Sequence, residues 1–149
     1  MPKLLRVVFD STVLVSAFLA EKQLSAKLLR HARQGAFILC SADLILAETR
    51  RVLLESPHIR RRYEFRDERV HDYIQGLRFV ARLSADFPAV KGISRDPQDD
   101  MVLACGLAAQ AHYLITRDKD LLSLDEYEGI GITSPEKFMA LLRRTHDQQ

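Results

Sequence analysis

Two short apolar runs in this chain end at aspartates, and they constrain the fold more than any other feature. Leu5 to Phe9 is Val-rich and stops at Asp10. Tyr113 to Thr116 stops just before Asp118 and Asp120. Each run has the length and apolar character of a strand buried on both faces. In an open parallel sheet, ligands bind beyond the carboxyl ends of the strands, so acids placed there gather on one rim. Gathered carboxylates repel one another unless something positive sits among them.

The rest of the chain supplies the helices such a sheet needs. Val13 to Ala20 and Ser25 to Ala36 read as consecutive helices, with Gly35 as a C-cap signal for the second. Ala36 to Cys40 reads as a second buried strand, with Ser41 as the N-cap of a helix reaching about Glu55. Ser56-Pro57 ends that helix. His58 to Arg66 is a basic connector, partly helical. Asp67 to Leu83 carries Val70, Tyr73, Ile74, Leu77, Val80 and Ala81 at helical spacing. Ser84 to Val90 is a short strand or an extended link broken by Pro88. Asp96 caps and Pro97 opens the next helix, which is apolar nearly all round from Val102 to Ala109. Ile130 to Thr133 is a last strand, and Pro135 to Arg144 a closing helix. This alternation is that of a parallel sheet with helices on both faces. A chain of 149 residues with no linker, repeat or low-complexity run is expected to form one domain, 1–149.

Composition narrows the class. Charged residues make up 28% and the net charge is only +2, so any nucleic-acid surface must come from local clustering. Cys40 and Cys105 lie far apart in apolar runs with no metal-ligand spacing, which disfavours zinc and redox chemistry and predicts reduced core residues. No stretch has the length of a membrane span, and the start has too short an apolar run for a secretory segment. A cytoplasmic protein is the expectation.

Each acid also has a structural explanation. Asp10 can be a turn residue or the N-cap of the following helix. Glu48 forms a stripe with Arg51 and Glu55, and spacing alone favours a solvated Glu48–Arg51 pair. Asp96 and Asp99 resemble a capping box, and acids suit a helix N-terminus, but Asp100 adds more negative charge than a cap requires. One of Asp118 and Asp120 can cap a helical turn at Leu121 to Leu124, and the other lacks that role. Thr116 is placed to orient a nearby carboxylate.

Taken together, these segments resemble the PIN-domain ribonucleases, which include the toxin halves of bacterial toxin–antitoxin pairs. The resemblance rests on Phe9-Asp10-Ser11-Thr12-Val13-Leu14, the mid-helix Glu48, Asp96-Pro97-Gln98-Asp99-Asp100 leading into an Ala-rich helix, and Leu114-Ile115-Thr116-Arg117-Asp118-Lys119-Asp120-Leu121-Leu122. It implies a three-layer α/β/α fold with a central parallel sheet of four or five strands. It implies Asp10, Glu48, Asp99 and Asp118 as catalytic metal-binding acids, and it turns Glu48 from a surface residue into a ligand. Asp96, Asp100 and Asp120 become supporting acids. Asp99 is preferred to Asp100 because it aligns with the family's acid three residues before Val102. Many relatives carry Asn where this chain has Thr12, whose hydroxyl can still orient Asp10. An antitoxin partner and a homodimer are likewise implied by the resemblance alone.

Hard carboxylate oxygens select Mg²⁺ or Mn²⁺. Such an ion would activate water and stabilise the leaving oxygen in hydrolysis of RNA phosphodiesters. No G-x-S-x-G, Cys–His or P-loop signature offers another nucleophile or phosphate site, and His31, His58, His71, His112 and His146 are scattered. Arg51, Arg60, Arg61, Arg62 and Tyr63 belong to the densest basic run, read either as an RNA-gripping edge or as a solvated connector. Phe65, Tyr73, Leu77, Phe79 and Val80 read as core or dimer surface. Three rival functions remain: a haloacid-dehalogenase-like phosphatase, a housekeeping RNA-processing nuclease, and a PIN-like module that binds without cutting. The phosphatase needs a second Asp where Thr12 stands.

Overall fold

The computed structural model describes residues 4–88, 90 and 96–147, with the side chains of His146 and Asp147 outside that set. Arg95, at the head of the third acidic segment, also lies outside the described residues.

The chain opens with β1 (Arg6–Phe9), α1 (Ser11–Leu19), α2 (Leu24–Arg33), β2 (Ile38–Ala42), α3 (Asp43–Glu55), α4 (Pro57–Arg62), α5 (Asp67–Val80) and β3 (Arg82–Ser84). It continues with α6 (Pro97–Ala108), β4 (Tyr113–Ile115), α7 (Lys119–Leu122), β5 (Glu126–Tyr127), β6 (Ile130–Thr133) and α8 (Pro135–Asp147). Among the described residues the strands form one sheet in the order β3-β2-β1-β4-β6-β5. The first five in that order run parallel, and the two-residue β5 pairs antiparallel with β6. The fold is a three-layer α/β/α arrangement around a mostly parallel sheet.

β1 is the central strand. Val7, Val8 and Phe9 have no exposed surface, as a strand covered on both faces requires. Phe9 meets Phe37 at 5.9 Å between ring centroids, and Phe37 meets Phe138 of α8 edge-on at 5.2 Å. After β1 the chain builds outward through β2 and β3, then crosses back to lay β4 against the other side of β1. The reversal opens a crevice between the carboxyl ends of β1 and β4. Asp10 and Asp118 stand on its two sides.

Several helix ends follow the sequence signals. Gly35, at φ 84°, takes the left-handed conformation after α2 that a Cβ would penalise. Asp96 caps α6 through its side chain, which accepts from the Gln98 N–H, and Pro97 occupies the first turn. Ser56 both follows α3 and caps α4.

Two boundaries depart from expectation for one reason. Ser41 is not an N-cap. It lies inside β2, paired with Leu83, while Ala42 holds the cap position without a side-chain bond. The long helix also stops at Val80, where Leu83 was expected. Arg82 to Ser84 pair instead with Cys40 to Ala42, so ladder hydrogen bonds to β2 override a helical pattern that continues through Ala81. Ser41 is buried, and its Oγ has no hydrogen-bond partner. β5 went unforeseen because its turn places Glu128, a residue with a Cβ, at positive φ beside Gly129.

Both cysteines are buried and unpaired, and burial pushes the Cys105 thiol up to about 12. Phe79 does not reach the core and is 93% exposed. Among the described residues, no helix is long and apolar enough to cross a membrane.

Candidate metal-binding active site

Asp10 leaves the end of β1 and caps α1. Its Oδ1 accepts the Val13 N–H at 3.0 Å and the Thr12 hydroxyl at 2.7 Å. Its Oδ2 accepts the hydroxyl of Thr116. The register of β1 against β4 explains the last contact. Phe9 pairs with Ile115, so the next residue on each strand faces the other. Thr116 is fully buried, and its Oγ1 also accepts the Asp118 N–H at 3.0 Å. One hydroxyl therefore ties the carboxylate of the first acid to the backbone of the last. The capping and functional readings of Asp10 describe the same geometry.

Asp10 is 4% exposed. Burial pushes its pKa above the ordinary carboxylate value, against the hydrogen bonds from Thr116, Thr12 and Val13, and nearby Asp118 adds to the rise. No Arg, Lys or His among the described residues forms an ion pair with it. A buried carboxylate in this state takes up a proton or a cation more readily than an exposed one.

The other acids converge from separate elements. Asp118 is half-buried and caps α7 by accepting the Leu121 N–H at 3.2 Å. Glu48 projects from the middle of α3. Asp96 and Asp99 come from the start of α6. With Asp10 they line one cavity of about 400 Å³, walled by Ile45, Val52, Met101 and Val102. Asp100 is buried beside the cavity without lining it, and Asp120 is exposed on α7. Gln98 and Ser16 also line the cavity and were not singled out from sequence. Ser16 was signalled by its place one turn from Thr12 on α1, whereas Gln98 lay hidden among acids.

Glu48 realises the pair that spacing suggested. Arg51 Nη2 donates to Oε1 at 2.6 Å and Nε donates to Oε2 at 3.0 Å. Both carboxylate oxygens are engaged while the residue faces the cavity.

The structure does not bring the remaining basic residues to this cavity. Tyr63 lines a separate hollow with Leu19, Lys22 and Gln23, at the far end of α1. α1 has nine residues, so the two places are about 13 Å apart along its axis. Arg60 is engaged by Asp67 at 2.7 Å and by the Phe65 ring at 4.8 Å. Arg62 lies over the Tyr63 ring at 5.7 Å, and Arg61 is exposed.

The donor set fits a divalent cation in kind. It consists of hard carboxylate oxygens, and one of the acids is buried with no ion-pair partner among the described residues. Among the described residues no group of three or more His, Cys, Asp or Glu side chains is placed to hold a metal ion. An open arrangement suits Mg²⁺, which keeps several waters and is held by one or two carboxylates together with substrate phosphate.

The fold is an α/β/α sheet with carboxylates beyond the ends of β1 and β4, at its switch point. The PIN domain family matches residues 6–120, a span that includes every acid of the cavity, and the chain belongs to that family. PIN domains are nucleases that generally use divalent metal ions and act on RNA or DNA. No curated protein matches the chain.

Proposed function

We propose that the protein is a Mg²⁺- or Mn²⁺-dependent endoribonuclease and the toxin of a toxin–antitoxin pair. In this reading residues 1–149 act as one domain in the cytoplasm, as a homodimer restrained by a protein antitoxin. The observation that supports it most is Asp10: buried, fixed by three donors, without an ion-pair partner among the described residues, and facing a cavity shared with Glu48, Asp99 and Asp118.

A bound divalent ion supplies Lewis-acid polarisation of phosphate and a water of lowered pKa. Everything else falls to the chain. Thr116, Thr12 and the Val13 N–H hold Asp10 in one orientation, so its oxygens need no reorganisation when the site fills. The Asp118 N–H on Thr116 fixes the loop after β4 relative to β1. Asp96 and Asp99 stand in the first turn of α6, where the helix dipole favours negative charge. Asp100 is a buried acid of the same first turn, and Asp120 is exposed on α7 outside the cavity lining. The apolar wall limits water around the charged centre, which strengthens its electrostatic interactions.

The test is cleavage of mixed RNA with Mg²⁺ or Mn²⁺, with chelator, and with Asp10→Asn and Asp99→Asn. Activity that requires metal and both carboxylates is expected. Cleavage that survives chelation or either substitution would overturn the site. A clean RNA-binding preparation with no cleavage would favour the binding module. The toxin role is checked separately, by growth arrest on expression and rescue by the product of a neighbouring gene.

A further inference from the structure

Arg51 holds Glu48 in a two-pronged grip at 2.6 and 3.0 Å, and this carboxylate is one the proposed metal site uses. The Glu48 side chain is 17% exposed and that of Arg51 57% exposed, so the carboxylate faces inward and the guanidinium reaches solvent. Glu55, one turn further along α3 and exposed, also attracts the Arg51 guanidinium. Arg51 therefore has a second carboxylate within reach if it releases the first.

We propose that Arg51 is an internal counter-ion of the site, occupying Glu48 until a divalent cation takes it, and then turning to the phosphate backbone of the substrate. The inference rests on the metal-dependent reading above. It follows from charge. Asp10, Asp96, Asp99 and Asp118 share the cavity with Glu48, and a cation on Glu48 lowers their mutual repulsion while the site is empty. When a metal ion arrives, the guanidinium and the ion compete for the same two oxygens, and the guanidinium leaves at the cavity rim. A flat fork suited to a carboxylate is equally suited to a phosphate. Metal and nucleic acid then favour each other's binding, because a phosphate that draws Arg51 away frees Glu48. Arg51 is thus a positioning residue for Glu48 in one state and a substrate contact in the other.

The experiment is calorimetric titration of Mn²⁺ alone into the full chain, for wild type, Arg51→Gln, Arg50→Gln and Asp10→Asn, repeated with a single-stranded oligodeoxynucleotide present. Arg51→Gln is expected to bind Mn²⁺ about fivefold more tightly than wild type, the scale of one ion pair of mixed exposure. It should also abolish the tightening that the oligodeoxynucleotide produces in wild type. Arg50→Gln removes the same charge from the exposed neighbour and should change Mn²⁺ affinity less than about twofold. Equal effects of the two substitutions would reduce Arg51 to general charge and overturn the proposal. Unchanged or weaker Mn²⁺ binding in Arg51→Gln would overturn it as well, with the metal site intact. Loss of the metal reading itself has a separate signature: wild type and Asp10→Asn would then bind Mn²⁺ alike.

Discussion

The two ends of α1 carry charged residues in opposite conditions. At its N-terminal end, carboxylates from β1, α3, α6 and the loop after β4 converge on one cavity, and Asp10 has no cationic partner among the described residues. At its C-terminal end, charges close on their neighbours. Arg69 reaches Glu21 at 3.4 Å and lies 5.0 Å over the Phe18 ring, and Arg60 is divided between Asp67 and Phe65. Phe18 packs edge-on against Phe65 and tilted against Tyr73, both at 5.1 Å. A larger cleft, about 640 Å³, lies between α1, α2 and α5, but its charges are of mixed sign. The larger cleft therefore lacks what the smaller cavity has, titratable side chains of one sign only. The far end of α1 is a structural joint, and the near end is where the proposed metal site lies.

The sharpest way to break this contrast is Asp10→Asn. Nuclease activity should fall by more than about 100-fold, since even supporting groups of a metal site cost 10- to 100-fold. Stability should hold or rise, with Tm increasing by about 2–4 °C per kcal/mol gained in a domain of this size. The sign follows from the pKa. Asp10 sits above 3.8 in the folded state, so its ionised form works against the fold near neutral pH. Wild type recovers that stability as pH falls through the raised folded value towards 3.8, and the Asn variant lacks the gain. A large fall in Tm for Asp10→Asn, measured by calorimetry at neutral pH, would make Asp10 a structural cap and erase the difference between the two ends.

Thr116→Val tests how the site is held. It strips the donor from Asp10 Oδ2 and the acceptor from the Asp118 N–H with almost no change in shape. Activity should drop by about 10- to 100-fold. Stability should drop by about 1–3 kcal/mol for each buried group left unpaired. Thr116→Ser should restore most of both. Rates unchanged in the Val variant would sever Thr116 from the chemistry.

The acids were legible because acids at strand ends have one rim to occupy, and the order of strands and helices in the chain fixed which rim. Glu48 shows the limit. Its spacing to Arg51 predicted the pair that the structure contains, while its place in the cavity depended on how α3 packs against α1, which no local pattern encodes. The basic run shows a different limit. Arg60 to Tyr63 follow α3 closely in sequence, but they lie outside the lining of the acidic cavity, and Tyr63 lines the hollow at the far end of α1. The β2–β3 ladder was illegible for a third reason. Ser41 has the composition of a cap and Ala81 to Leu83 that of a helix end, and only their meeting across the sheet makes both into strand.

A smaller effect sharpens the contrast from the structural end. The Tyr73 hydroxyl donates to the Leu14 carbonyl at 2.6 Å, and burial holds its pKa above the ordinary value. Tyr73→Phe should cost about 0.5–1.5 kcal/mol. That corresponds to a Tm loss of a few degrees by calorimetry, with the nuclease rate unchanged. A rate loss comparable to that of Thr116→Val would mean that the Tyr73 contact with α1 also serves the chemistry.

The smallest expected effect lies at the opposite edge of β4. His112 precedes the strand whose other end is followed by Thr116, and its Nδ1 accepts the Arg6 N–H at 2.9 Å. That bond needs a neutral imidazole. Burial, with Arg6 as the lesser cause, pushes the His112 pKa below 6.5. A base whose folded value is lowered contributes stability above its unfolded value and loses it as pH falls through the folded one. The group is half-exposed, so the loss between about pH 7.5 and 5 should be only about 1–2 °C in Tm. His112→Asn, whose Oδ1 can accept the same N–H, should flatten it. Asp10 imposes the opposite slope, because its protonation stabilises the fold at low pH. The Asp10→Asn background removes that opposing slope and leaves the one His112 contributes. If that background instead melts independently of pH over the same range, His112 carries no linkage.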